Sequence, residues 1–434
     1  MSVVASDVKL TKNLSFPKKK TRFCKRPGSI QGWIKYDENE WRVPLAWGIE
    51  NGLKPKMKRH KKIDIKSTIK LRDTQIEPYN NLAKHLAEYH TYFLQVPCGS
   101  GKTIMATHSI PLIGLLTLVI LPDYNLLKQW AQVFMEFLPD AKLFVLGKTN
   151  SICLKEFGIK DKNLVKNIND ADIILSLPTA ITKLPYEDLR KIGYVICDEA
   201  RLMCTEKILH CILHTVPKYL LGLSADYERQ DNMHIIMDKL FGMKKHIEIS
   251  KKPFIVHKIN TPFSPNVEDP SDWTQVTENL AKNEDINKEI CKIILNNMEE
   301  DDKILVLCKR TFHVEIMEKL LAEIMDVETL YKDKKGYKNC KLLIGTLKKL
   351  GVGFDGKNSC VQDYDNIPFN KLHLCADIKE GIEQPAGRVG RSENPEIFDY
   401  VHNMSTLRKH WDVREKWYLS RNGEIKESFM KMKI

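Results

Sequence analysis

Pro97-Cys98-Gly99-Ser100-Gly101-Lys102-Thr103 follows the apolar run Tyr92 to Val96, which reads as a short buried strand, and precedes Ile104 to Ile110, which can continue as a helix. A strand, a Gly-rich loop and a helix in that order aim backbone N–H groups and a helix N-terminus at phosphate oxygens. In such a loop Lys102 reaches the outer phosphates and the Thr103 hydroxyl holds Mg²⁺. The full pattern carries Gly six places before the lysine, and that place is Val96 here. The bland alternative is a flexible Gly-Ser turn beside a chance lysine.

Two further segments argue against that alternative. Tyr194-Val195-Ile196-Cys197-Asp198-Glu199 is a second apolar run, ending in two carboxylates. The C-terminal end of a strand is where α/β sheets place their ligands. Asp198 is there the candidate Mg²⁺ carboxylate, and Glu199 the candidate base that orients and deprotonates an attacking water. Near the C-terminus, Gln384-Pro385-Ala386-Gly387-Arg388-Val389-Gly390-Arg391 carries two guanidinium groups three residues apart, which would share a helical face. An arginine fork stays charged and donates two parallel bonds, so Arg388 and Arg391 suit a phosphoryl group developing charge. Two surface arginines on a capped turn are the alternative.

Read together, these segments resemble the ordered motif set of superfamily-two helicases and nucleic-acid translocases. The look is closest to the XPB and UvsW type, with poxvirus-like transcript-release helicases as a nearer relative. Leu71-Arg72-Asp73-Thr74-Gln75 resembles the adenine-side segment, and Leu118 to Pro122 through Gln129-Trp130 resembles the motif after the phosphate loop. Leu221 to Ala225, with Arg229, Asp231 and Phe241-Gly242, resembles the coupling motif, and Leu343 to Thr346 through Gly351 to Asp355 resembles the fifth. The resemblance implies an ATP- and Mg²⁺-dependent enzyme whose nucleotide site includes Gln75, Pro97, Cys98, Gly99, Ser100, Gly101, Lys102 and Thr103. Gly353, Asp355 and Gln384 join that site from the second half, with Glu199, Arg388 and Arg391 in the chemistry. It also implies nucleic acid as partner, DNA favoured over RNA, in a transcription or repair setting. Three function classes stay open: a helicase or translocase, a non-unwinding ATPase that releases transcripts or strips proteins, and a nucleotide-dependent clamp with weak hydrolysis.

The chain departs from the family's pattern at Arg201, where His is usual, at Asp226, where Thr is usual, and at Tyr227, where Pro is usual. One motif gains a cation and its neighbour an anion, so Arg201 and Asp226 are expected to form an ion pair in place of the usual contact. Nothing in the sequence explains Tyr227.

The expected architecture is two tandem RecA-like α/β domains of parallel sheet with the ATP site between them. Continuous apolar runs alternating with helical patterns imply sheets covered on both faces. Residues 1–65 form a basic aromatic extension, 66–250 the ATP-binding domain, and 280–434 the second domain, after a connector with Pro262, Pro265 and Pro270.

Charge is uneven. Residues 1–62 hold 16 Lys or Arg against 5 Asp or Glu, so +11 of the net +12 belongs to them. Lys18-Lys19-Lys20, Arg22, Lys25-Arg26 and the Lys54 to Lys62 cluster bracket Trp33, Tyr36, Trp41 and Trp47. Three readings stay open: phosphate binding with base stacking, a small packed unit with a solvated lysine rim, and a nuclear-targeting run.

Other features bound the class. The longest apolar stretch, Ile110 to Pro122, is too short for a bilayer and carries Pro111, Gly114 and Thr117, so no membrane partner is expected. No apolar segment at the N-terminus marks a secretory signal. The 11 cysteines show no disulfide framework, and Cys98 and Cys197 fall within the nucleotide motifs. A reducing intracellular compartment is expected, either the nucleus or a cytoplasmic viral replication site. Cys204, His210, Cys211 and His214 have a spacing that can bind Zn²⁺, but paired-Cys loop geometry is absent, and buried Cys and His on an ordinary helix is the default.

Overall fold

The computed structural model describes the chain apart from residues 1, 4–13, 18–27, 36–39, 54–59, 98, 148–160, 228, 230, 243–244, 248–251, 268, 270–271, 352–353, 355, 380 and 432–434. The chain divides into two units, Met1–Glu248 and Ile249–Ile434.

The sheet of the first unit has seven strands: β1 (Thr91–Gln95), β2 (Thr117–Ile120), β3 (Leu143–Leu146), β4 (Ile173–Ser176), β5 (Tyr194–Cys197), β6 (Tyr219–Ser224) and β7 (Lys245–Ile247). Their spatial order is β7-β1-β6-β5-β2-β4-β3, and every pairing is parallel. β1, β2, β4 and β5 are buried at every residue. Burial on both faces is why they read as unbroken apolar runs rather than alternating ones. Register decides the function-bearing edge: Ile120 pairs with Cys197, Cys197 with Gly222 and Gly222 with Phe93. Two residues beyond that row, the same four chains have reached Pro122, Glu199, Ser224 and Gln95.

The second unit repeats the design with β8 (Phe254–Thr261), β9 (Ile304–Cys308), β10 (Glu328–Leu330), β11 (Leu342–Thr346), β12 (Lys371–Leu374), β13 (Glu396–His402) and β14 (Gly423–Phe429). These seven are again all parallel, in the order β10-β11-β9-β12-β13-β8-β14. The two tandem parallel-sheet domains are thus RecA-like, as expected. β8 precedes the three prolines and belongs to this sheet, ahead of residue 280. Its mixed sequence Phe-Ile-Val-His-Lys-Ile-Asn-Thr is only part buried, so it lacks the apolar run that marks its neighbours. The His257, Phe398 and His373 rings stack across β8, β13 and β12, with centroids 4.3 and 4.2 Å apart.

The described part of the extension is packed into the core of the first unit. Leu14, Phe16, Ile30, Val43, Leu45 and Trp47 share one core with Phe93, Leu240 and Phe241. Trp47 is 4% exposed and so is not presented for base stacking. Trp33 and Trp41 lie against each other, centroids 4.3 Å apart. This favours the packed-unit reading for these aromatics, while Lys18-Lys19-Lys20, Arg22, Lys25-Arg26 and Tyr36 lie outside the described residues. Removing residues 1–62 would therefore open a core. Trp47→Ala is expected to cost about 3–5 kcal/mol of stability in chemical unfolding of the full chain. A loss under about 1 kcal/mol would show that the extension is not part of the core.

Candidate active site

The phosphate loop leaves β1 at Val96 and enters the helix Lys102–Ile113. Gly99 and Gly101 have φ of 85° and 87°, values that disfavour any side chain. At Gly101 a Cβ would also stand 2.1 Å from Gln75 Nε2. Lys102 Nζ donates to the carbonyls of Val96 at 3.0 Å and Pro97 at 3.4 Å, so the ammonium lies against the loop itself. Thr103 follows in the first turn of the helix, at its positive end. Cys98 lies outside the described residues.

Gln75 is 4% exposed and ties two motifs together. Its Oε1 accepts from Arg72 N at 3.0 Å, and its Nε2 donates to Ser100 O at 3.0 Å. The segment Leu71–Gln75 thereby holds the loop that precedes Lys102 directly.

Asp198 and Glu199 leave β5 at the same sheet edge. Asp198 is 4% exposed, and its two oxygens accept from different donors: Trp130 Nε1 to Oδ2 at 2.7 Å and Glu199 N to Oδ1 at 2.9 Å. Burial pushes the Asp198 carboxyl above its usual range, against the Trp130 hydrogen bond and the Lys102 charge. Glu199 sits in the left-handed region, φ 50° and ψ 49°, where the chain turns sharply out of the strand. The Trp130 bond was not legible in the Gln129-Trp130 pair, because spacing does not say where an indole points.

The donors fit Mg²⁺. The Thr103 hydroxyl and Asp198 carboxylate are hard oxygen ligands, and Mg²⁺ is commonly held by one or two carboxylates plus substrate phosphates. Among the described residues no group of three His, Cys, Asp or Glu side chains forms a protein cage for a metal. Cys204 donates to Ala200 O at 3.6 Å, and His210 Nε2 pairs with Gln31 O at 2.8 Å, so these two are engaged with backbone.

The expected ion pair is present: Arg201 Nη1 stands 3.4 Å from Asp226 Oδ2, both side chains mostly buried. Arg229 reinforces it. It grips Asp231 through two bonds of 2.9 and 2.6 Å and donates to Arg201 O at 2.6 Å. Tyr227 now has a physical account, since its hydroxyl donates to Asp238 at 2.5 Å and its ring packs edge-on against Phe93, centroids 5.9 Å apart.

On the second unit, Gln384 and Arg388 ride the helix Glu383–Val389. Arg388 Nη2 donates to Gly351 O at 2.5 Å, linking this helix to the turn after β11. The helix ends before Arg391, which is exposed in the following turn, so the shared helical face does not extend to it. Gly353 and Asp355 lie outside the described residues. The segment entering the helix is held by Arg414, which donates to Ile378 O at 2.6 Å and to both Asp399 oxygens at 2.7 and 2.8 Å. Burial opposes the Asp377 charge, yet His410 and Arg414 together hold that carboxyl below its usual range.

Residues 68–229 match the family described as type III restriction enzyme, res subunit. Protein 161L of Invertebrate iridescent virus 6, which carries a helicase name, is 29% identical over 386 residues, 82% of each chain. Protein 055L of Frog virus 3, also named as a helicase, is 27% identical over 89% of this chain and 86% of its own. The chain is a superfamily-two helicase. The solved structure of S. cerevisiae Dbp5 bound to RNA and ADP BeF3 shares the fold, with a TM-score of 0.51 at 12% identity, over 83% of this chain and 94% of that one. As a member of this family the helicase is an ATP hydrolase dependent on nucleic acid.

In this helicase the Arg201–Asp226 pair should behave as a unit. Arg201→His alone is expected to lower nucleic-acid-stimulated ATPase more than Arg201→His with Asp226→Thr, with a coupling of about 1 kcal/mol or more in a double-mutant cycle. Additive losses would mean that the two charges act independently.

Proposed function

We propose that this helicase hydrolyses ATP to move stepwise along nucleic acid, DNA in preference to RNA, as a translocase of the XPB and UvsW type. The observation that carries the reading is the meeting of the phosphate loop with Asp198 and Glu199 at one edge of one parallel sheet. In this reading Met1–Glu248 contains the ATP-binding domain and Ile249–Ile434 the second helicase domain. The loop N–H groups and Lys102 bind the phosphates, Gln75 reads the adenine side, and Glu199 takes the proton from the attacking water. Bound Mg²⁺, held by Thr103 and Asp198, supplies charge neutralisation at the outer phosphates.

By the family resemblance, Arg388 and Arg391 of the second unit are assigned to the transferring phosphoryl group, and Gln384, Gly353 and Asp355 to the nucleotide. A ligand drives closure only by binding the closed form better, and the arginines provide that difference while the γ-phosphate is present. Each hydrolysis then releases the pair and resets the grip on the strand. Backbone and small side chains around Pro122, Pro178-Thr179 and Thr346 to Gly353 suit contacts to phosphate, which carry no base information. The helicase is therefore expected to move without sequence preference. Free thiols at all eight described cysteines and the viral setting of the relatives support work in a reducing compartment, at a cytoplasmic viral replication site or in the nucleus.

The test is ATPase activity of the full chain with single- and double-stranded DNA and RNA. DNA is expected to stimulate most, Glu199→Gln to abolish turnover, and Arg388→Ala or Arg391→Ala to lower kcat by about 10³-fold or more. Equal turnover with and without any nucleic acid would contradict the translocase, and stimulation by RNA alone would reverse the preference.

A further inference from the structure

Trp130 is fully buried on the helix Tyr124–Phe137, yet it spends its single polar atom on a carboxylate. An indole N–H is a donor only, and when buried it needs a partner. Here that partner is Asp198 Oδ2 at 2.7 Å, in the same shell where Glu199 N binds Oδ1 at 2.9 Å. One fixed donor on each oxygen prevents the carboxylate from rotating without breaking both bonds. The lone pairs left over then point in set directions.

The helix that carries the indole is itself held firmly. Asp123 caps it by accepting from Asn125 N at 2.8 Å and Leu126 N at 3.0 Å. Leu127, Ala131 and Phe134 are fully buried, and the Phe134 ring meets Trp130 edge-on at 5.5 Å. Phenylalanine would keep the aromatic, apolar character of the site but not the donor, so the N–H is the part of this side chain that apolar packing does not explain. A donor fixed to a metal-binding carboxylate sets ligand direction, and loss of such partners typically costs 10–100-fold in metal affinity or activity.

We propose that Trp130 is a positioning residue that orients Asp198 toward the Mg²⁺ accompanying the nucleotide. This rests on the reading of Asp198 as the metal carboxylate. It joins the segment after β2 to the segment after β5 through one hydrogen bond, so a change in either is felt at the metal ligand.

Binding of a fluorescent ATP analogue to the full chain, titrated with Mg²⁺, tests it. Trp130→Phe is expected to raise the half-saturating Mg²⁺ concentration about tenfold or more, with analogue affinity in the absence of Mg²⁺ and cooperative melting both retained. Asp198→Asn is expected to remove the Mg²⁺ response. If Trp130→Phe keeps the wild-type response while Asp198→Asn loses it, the proposal is overturned and the metal reading stands. If Asp198→Asn keeps the response, the metal reading falls and the proposal falls with it. Should Trp130→Phe fail to fold, 3-benzothienylalanine at position 130, which keeps the shape and lacks the N–H, takes its place with the same expected shift.

Discussion

Parallel pairing of β1, β6, β5 and β2 in a single register brings Gln95, Ser224, Glu199 and Pro122 to one edge of the first sheet. Strands that run the same way must release their loops on the same side. The phosphate loop, the two carboxylates, the coupling segment and the motif after β2 are far apart in sequence but leave neighbouring strands together. Everything chemical in the first unit follows from that. Gln75 reaches Ser100, Trp130 reaches Asp198, and Arg201 reaches Asp226 because the sheet has already placed their backbones. A one-residue slip would move every side chain of a strand to the opposite face of the sheet, so packing against both buried faces guards the register.

The coupling segment shows how a chain can change its chemistry and keep its geometry. A cation at Arg201 and an anion at Asp226 occupy adjoining turns, where each would be costly alone. Arg229 adds a second anchor by holding Arg201 through its carbonyl and Asp231 through its carboxylate. Tyr227, unaccounted for in sequence, becomes a strut between β1 and the helix Ile235–Phe241 through Phe93 and Asp238. Three departures from the family's usual residues thus form one connected patch.

The central strands of both sheets were legible because full burial writes itself as an apolar run. β5, β9 and β11 are buried at every residue and carry almost wholly apolar sequences. β8 and β14 were not legible, since strands carrying His257, Lys258, Glu424 and Lys426 look like connectors until a neighbour is known. Candidate nucleotide residues of the first unit could be proposed from the sequence, but their contacts could not. Nothing in the order of residues says that Trp130 points at Asp198 or that Arg388 reaches Gly351. The aromatic extension was the hardest to read, because tryptophans among lysines suit nucleic acid and a hydrophobic core equally well. Burial of Trp47 beside Phe241 gives that side chain a core role.

The central claim is that ATP bound by the phosphate loop is the energy source. Single-turnover hydrolysis of radiolabelled ATP by Lys102→Ala, with saturating nucleic acid, tests it most directly. The account predicts loss of phosphate release together with loss of nucleotide binding, in a protein that melts like the wild type. Phosphate release at the wild-type rate would contradict it.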